Sequence, residues 1–307
     1  MRYTLRQLEV FLAAARYENI SRAAGSLAMS QSAASGALRE LERQFDIQLF
    51  DRAGKRLRLN ELGRALRPQA LALLEQAQVL EAGFAGQVVG GALKVGATLT
   101  IGNYLAVGLI ERYMEEQPGA RVTLRVANTA QIAAQVAGFE LDLGLVEGEL
   151  SHPELEITPW RDDELVAFCA PDHPLAKRYR LNDDDLLAAT WILREPGSGT
   201  RQTFDRALHG LLPRLNILLE LEHTEAIKRA VEAGLGIGCL SRIALRDAFQ
   251  RGSLVALEIP HRDLRRHFHF VLHRRKFVSP GIERWLALCR AGDGRAGLSR
   301  AGGDGRN

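Results

Sequence analysis

The sequence predicts an α+β chain: an N-terminal winged helix-turn-helix, a long linker helix, and a C-terminal domain of alternating strands and helices. Three observations carry this. Apolar residues of the first part of the chain recur at helical spacing in successive short runs, followed at once by two short strand-like runs around a glycine. A 4-3-4-3-4 apolar repeat then extends from Leu66 to Phe84. From Leu93 onward strand-like and helical runs alternate, the order that gives parallel sheets covered by helices. The 307 residues are enough for two or three domains.

In the first helix Leu5, Leu8, Phe11, Leu12 and Ala15 define an apolar face. Ser21 is the expected N-cap of a short second helix carrying Ala23, Ala24 and Leu27, and Ser30 that of a third running to Phe45. Two helices joined by a tight turn form a helix-turn-helix, whose second helix enters the DNA major groove. At about 100° per residue, Ala34, Leu38, Leu41 and Phe45 share one side of the third helix and are expected to pack on the first two. Gln31, Ser32, Ser35 and Arg39 form a separate stripe; Gln suits adenine, and Arg suits guanine or phosphate. A merely solvated face would look the same. The next segment separates the two readings. Strands on either side of Ala53-Gly54-Lys55-Arg56 make a hairpin whose tip presents Arg52, Lys55 and Arg56 to phosphates or the minor groove. Charge agrees: of the net +3, residues 1–90 hold 12 basic and 9 acidic residues, leaving 28 of each in the remainder. The whole excess sits in the module expected to meet a polyanion.

Asn60 is the expected cap of a long helix reaching Gln87, with Leu66, Ala70, Leu73, Ala77, Leu80 and Phe84 as the seam of a two-stranded coiled coil. The same seam would also serve to pack on the chain's own second domain. A dimer suits paired DNA half-sites. Pro68 removes a helix hydrogen bond and predicts a bend near residues 64–67, and Gly90-Gly91 predicts a hinge. The expected domains are therefore 1–59 (winged helix-turn-helix), 60–90 (linker helix and hinge) and 91–290. Residues 291–307, Gly/Arg-rich without periodicity, predict a disordered tail.

In the C-terminal domain, residues 93–97, 121–127, 142–146 and 165–170 read as strands, with helices at 101–116 and 130–137. Further strands at 190–193, 217–221 and 236–240 alternate with helices at 200–208 and 225–233. Ligands of open α/β sheets sit at the carboxyl ends of strands. Three such junctions offer hydroxyls and free N–H groups: Thr98-Leu99-Thr100, Asn128-Thr129 and Gly197-Ser198-Gly199-Thr200. Helix N-termini attract anions, although each junction taken singly reads first as an ordinary N-cap. Glu147 reads equally as a pocket carboxylate or as a solvent-facing residue; beside an anion it would need a proton or a cation.

Other classes are disfavoured. Cys169, Cys239 and Cys289 are far apart and read as buried reduced thiols, and His152, His173 and His223 lack ligand spacing, so neither metal nor cofactor is expected. No run reaches the roughly eighteen apolar residues of a membrane span, and the N-terminus lacks a signal-peptide core, which predicts a cytoplasmic protein without a membrane partner. Gly197-Ser198-Gly199 lacks the nucleophile-elbow spacing and the Lys-Ser/Thr ending of a phosphate loop, so no enzyme is expected. A transport-type solute-binding protein is opposed by the N-terminal module.

Leu5-Arg6-Gln7-Leu8-Glu9-Val10-Phe11, Ser21-Arg22-Ala23-Ala24, Ser30-Gln31-Ser32-Ala33-Ala34-Ser35, Leu41-Glu42 and Leu49-Phe50-Asp51-Arg52 resemble the signature of LysR-type transcriptional regulators. The resemblance runs from about residue 3 to residue 290. Gly54-Lys55-Arg56-Leu57, Thr100-Ile101-Gly102-Asn103-Tyr104 and Glu225-Ala226-Ile227-Lys228 are most similar to the YeiE-like group, with CysB-like architecture. It implies a two-lobed domain like a periplasmic binding protein, with lobe I about 91–161 and 268–290 and lobe II about 162–267. It implies DNA contacts at Gln31, Ser32, Ser35, Arg52 and Lys55, and an effector cleft at Thr98, Thr100, Thr129 and Thr200. A homodimer pairing into a homotetramer on promoter double-stranded DNA, responsive to a small effector, follows from the same resemblance. Neutral donors without a committed lysine or arginine suit a small oxyanion; the YeiE-like and CysB-like resemblance implies a sulfur oxyanion such as sulfite or sulfate, with a small carboxylate as the alternative. Gly36 departs from the family, which often carries Arg or another long polar residue there, and it weakens the helix by about 1 kcal/mol relative to Ala.

Overall fold

The structure, a computed structural model, describes residues 1–53, 56–84, 92–178 and 180–296. It divides into two compact units, Met1–Gly91 with Arg275–Pro280, and Ala92–Arg274 with Gly281–Asn307.

The first unit comprises α1 (Leu5–Tyr17), α2 (Ile20–Ser26), α3 (Gln31–Phe45), β1 (Phe50–Ala53), β2 (Arg56–Leu59) and α4 (Glu61–Phe84). Thr4 and Gln7 close a capping box at α1. Ser30 Oγ accepts from the Ala33 N–H at 3.2 Å and Asn60 Oδ1 from the Gly63 N–H at 2.8 Å, starting α3 and α4. The cap of α2 differs from expectation. Asn19, not Ser21, holds that place, accepting from the Arg22 N–H at 3.0 Å, so Ser21 lies inside the first turn. α1 packs on α2, α3 and α4 together, which widens its buried face to Leu8, Val10, Phe11 and Ala14, while Leu5 is left 42% exposed. Ala34, Leu38 and Leu41 of α3 are buried, but Phe45 is not. At the helix end it stacks outward, 6.2 Å from the Tyr3 ring and under the Arg2 guanidinium.

β1 and β2 pair antiparallel from Phe50↔Leu59 to Ala53↔Arg56. α4 runs as one helix through the buried Pro68. Its apolar seam is divided. Leu66, Ala70 and Leu73 pack on the core of their own unit, whereas Leu80 and Phe84 are 58% and 82% exposed. The wing tip at 54–55 and the expected hinge at Gly90-Gly91 lie outside the described residues.

The second unit is a two-lobed α/β structure. In chain order it holds β3 (Ala92–Ala97), α5 (Leu99–Tyr104), α6 (Ala106–Glu116), β4 (Arg121–Val126), α7 (Thr129–Ala137), β5 (Leu143–Glu147) and β6 (Leu155–Cys169). Then come α8 (Asp183–Ala188), β7 (Thr190–Arg194), α9 (Gly199–Ala207), β8 (Asn216–Leu221), α10 (Thr224–Glu232) and β9 (Ile237–Ser241). It ends with α11 (Arg242–Arg251), β10 (Val255–Leu257), β11 (Arg265–His273) and α12 (Pro280–Ala296).

The strands follow the order β4-β3-β5-β11-β6-β9-β7-β8, with β10 on β6. β3 is parallel to β4 and β5, and β7 to β8 and β9. β6 and β11 are antiparallel to each other and join the two parallel groups. Each group has its own core, one around Trp191 and Phe204, the other around Tyr113, Phe270 and Trp285.

Three expectations change here. The single helix expected at 101–116 is two, because Leu105 leaves helical geometry at φ −123°. β6 is 15 residues long, and only its last part reads as a strand from sequence. Its earlier part is a partly exposed ribbon carrying Pro159 and four successive charged residues, Arg161 to Glu164, so it lacks an apolar signal. α12 extends to Ala296, six residues into the segment expected to be a disordered tail, anchored upstream by buried Trp285, Leu288 and Cys289. Among the described residues no helix is long and apolar enough to cross a membrane.

Candidate functional site

On α3, Gln31, Ser32 and Arg39 are exposed and Ser35 partly so, on the face neighbouring that of Ala34, Leu38 and Leu41. The Ser30 and Ser32 hydroxyls lie 3.0 Å apart, and Arg39 Nε donates to the Ser35 carbonyl at 3.2 Å, laying the guanidinium along the polar stripe. A Cβ at Gly36 would meet nothing within 4 Å, so packing within the unit does not require glycine there. Arg52 stands on β1 and Arg56 on β2; their side chains, and Lys55, lie outside the described residues.

The second unit brings the five cleft candidates to the ends of its parallel strands. Thr98 follows β3, Thr100 lies in α5, Thr129 opens α7, Glu147 ends β5 and Thr200 sits in the first turn of α9. All five are at most 5% exposed, which excludes the solvent-facing reading of Glu147. α9 approaches β5 closely: a Cβ on Gly199 would stand 1.8 Å from the Glu147 carbonyl oxygen. The Thr129 hydroxyl donates to that same carbonyl at 2.9 Å. Asn128 and Ser198 act as N-caps, accepting from the Gln131 and Thr200 N–H groups at 3.0 and 3.2 Å. Thr98 is different. It makes no capping bond, and its buried hydroxyl finds no hydrogen-bond partner among the described residues; the same holds for the buried Thr224 hydroxyl at the start of α10.

The expectation that the cleft lacks a committed cation is overturned. Arg266, 3% exposed on β11, donates from Nη1 to Thr200 Oγ1 at 3.0 Å and from Nε to Asp163 Oδ2 at 2.7 Å, and its Nη2 pairs with Glu147. Asp163 also accepts from Ser241 Oγ at 2.7 Å. Burial pushes the Asp163 carboxyl above its ordinary range; the Arg266 charge and the bonds from Ser241 and Arg266 oppose this, and Glu147 adds to it. Sequence reading missed Arg266 because it sits in the charged run Arg265-Arg266-His267. The available signal was alternation: Arg266 shares a strand face with the buried Phe268 and Phe270.

Two more buried cations border this region. Lys228 pairs with Glu225 at 2.8 Å beside Tyr104, whose hydroxyl also bonds Glu225. Burial, then Glu225, pushes the Tyr104 hydroxyl well above the ordinary tyrosine range. Arg194 pairs with Glu195 at 2.8 Å, and Asn128 Nδ2 donates to Glu195 at 3.3 Å. A cavity of about 280 Å³ is lined by Asn103, Asn128, Glu195 and His223. A larger one, about 1180 Å³, is lined by Gly148, Asp163, Arg206, Arg242 and Arg266. Neither is lined by the threonines themselves, which are packed between elements.

Two family profiles match the chain. One, the bacterial regulatory helix-turn-helix protein of the lysR family, covers residues 5–64, and the other, the LysR substrate binding domain, covers residues 86–293. The chain is 45% identical over 289 residues to the HTH-type transcriptional regulator YeiE of Escherichia coli K12, covering 94% of this chain and 98% of that one. A full-length OxyR variant from Pseudomonas aeruginosa has a similar fold, with TM-score 0.71 at 22% identity over 95% of this chain and 94% of that one. The regulatory domain of Synechocystis PCC6803 CcmR in complex with 2-PG superposes with TM-score 0.61 at 30% identity, covering 66% of this chain and 96% of that one.

Proposed function

Because the chain belongs to the LysR family of transcriptional regulators, we propose that α3 and the wing read promoter DNA and that the buried threonines at the strand ends of the second unit hold a small oxyanion as effector. The chain is a ligand-responsive DNA-binding regulator, not an enzyme. Gln31, Ser32, Ser35 and Arg39 contact bases or adjacent phosphates, while Arg52, Lys55 and Arg56 hold the backbone. The working domains are 1–59, 60–90 and 91–290. The exposed Leu80 and Phe84 of α4 pair with a second copy, and two such dimers make the tetramer.

One observation carries the effector reading. The buried Thr98 hydroxyl has no partner among the described residues, and it follows β3 at the strand ends where the first turns of α7 and α9 are brought together by the Gly199 approach. Thr98, Thr100, Thr129 and Thr200 supply hydroxyl and N–H donors suited to a small oxyanion. Sulfite or sulfate is the first candidate, supported by the likeness to the YeiE-like group. A small carboxylate is the second. Ligand binding at the cleft changes how the lobes close and so how the DNA-binding modules are presented.

Thermal unfolding of the full chain with sulfite, sulfate and small carboxylates tests this. A ligand confined to the native state stabilises it by about 2.7 kcal/mol at a hundredfold excess over Kd. Thr98→Val and Thr200→Val should lose that gain. No shift with any of these anions refutes the effector assignment.

A further inference from the structure

One buried trio of the second unit carries two negative charges against one positive. Arg266 is its cation, and two carboxylates already hold it, Asp163 from β6 at 2.7 Å and Glu147 from β5. These three side chains are at most 2% exposed. The bordering cations are engaged too, Lys228 by Glu225 and Arg194 by Glu195, each at 2.8 Å. Ser241 and the Cys239 thiol on β9 and Thr200 on α9 are the neutral groups beside the trio, and Arg206 of α9 and Arg242 of α11, paired with Glu149 and Glu164, line the same cavity as Asp163 and Arg266. Arg265, His267 and His269 alternate to the opposite face of β11, and Asp162 and Glu164 to the opposite face of β6. There His267 pairs with Asp162, and Glu164 with Arg242 of α11.

Thr200 accepts directly from Arg266 and is one of the hydroxyls assigned to the effector. An anion on Thr200 therefore stands one side chain away from two carboxylates that share a single cation. Like charges that close, shielded from water, do not all stay ionised. We propose that the cleft takes up one proton together with its anionic effector, and that Asp163, beside Arg266 and Ser241, holds that proton. The proposal rests on the oxyanion reading given above. Asp163 is the better-prepared acceptor. Its carboxyl is already raised by burial, and the Ser241 hydroxyl that donates to it can rotate to accept from the protonated acid. The consequence is specificity by protonation: an anion that arrives without a proton binds more weakly as pH rises.

Proton uptake and affinity are measured on the full chain with two probes, sulfate, which carries no proton near neutrality, and sulfite, corrected for its own titration. The expected result is close to one proton taken up per sulfate bound at about pH 8, with affinity falling about tenfold per pH unit where uptake is complete. Asp163→Asn with Glu147→Gln should abolish the uptake and flatten the pH dependence. If that double variant does not fold, each single variant should still reduce the uptake. Binding without proton uptake, or uptake that survives both substitutions, overturns the inference and leaves the oxyanion reading standing. Failure of both anions to bind at any pH overturns the two together.

Discussion

Arg266→Met removes the guanidinium from between Asp163 and Glu147 and keeps an unbranched apolar stem in its place. Two carboxylates are then buried without a cation, since each is at most 2% exposed. Removing one partner of a buried ion pair costs about 3–5 kcal/mol, and here one deletion uncovers two charges, which favours the upper part of that range. For a domain of this size each kcal/mol lowers Tm by about 2–4 °C, so a fall of roughly 6–20 °C is expected. The deficit must depend on pH. Unpaired buried carboxylates have folded-state pKa values raised above the unfolded ones, so the native state binds more protons and stability falls as pH rises between the two. Thermal unfolding followed by circular dichroism at about pH 5.5 and about pH 8 reads this, with the larger loss at the higher pH. The neutral control is Arg266→Met with Asp163→Asn and Glu147→Gln, which should recover most of the loss. A single variant within about 1 kcal/mol of wild type, or a triple variant no better than the single one, refutes the reasoning.

Thr98→Val preserves shape and removes a buried hydroxyl that has no partner among the described residues, so the free protein should be as stable as wild type or about 1 kcal/mol more stable, while oxyanion affinity falls. A clearly lowered Tm would show that the hydroxyl is engaged. Lys55→Ala should weaken DNA binding similarly on all sequences and lower the salt slope, whereas Gln31→Ala should change sequence preference; salt-titrated binding that does not distinguish the two contradicts this division. Burial pushes the Cys239 thiol up to about 12 and the Cys169 thiol up to about 11, and all three cysteines are buried. Native protein should therefore react negligibly with a thiol reagent at about pH 8, and all three should react after denaturation.

The features legible in the sequence are those where a local rule has one strong candidate. Asn60 precedes a helical run without a rival cap and caps its helix, and Ser30 caps α3 as expected. Asn19 and Ser21 compete two residues apart, and local chemistry does not choose between them; the choice follows from how Ala23 and Ala24 must face α1 and α3. The seam of α4 illustrates a second limit. Its spacing is regular from Leu66 to Phe84, yet the winged helix beside it uses the first half and leaves the second half exposed, a partition that spacing alone does not carry.

Arg266 shows why the chemistry of the cleft was harder to read than its position. Each threonine junction is announced locally by a strand followed by a hydroxyl and a helix. The Arg266–Asp163 pair joins residues 103 positions apart, each within a short charged run of its strand. In such a run a buried charge and a solvated charge have the same residue type and differ only in parity along the strand. On β11 the even face, Arg266, Phe268 and Phe270, is buried, and the odd face, Arg265 and His267, is exposed. Asp163 is likewise the buried member between exposed Asp162 and Glu164. Two charged residues of opposite sign, each alone on the apolar face of a strand, have few ways to avoid the cost of burial other than each other. Parity on charged ribbons is thus a usable sequence signal, and here it leads to the buried cation that joins Asp163 and Glu147.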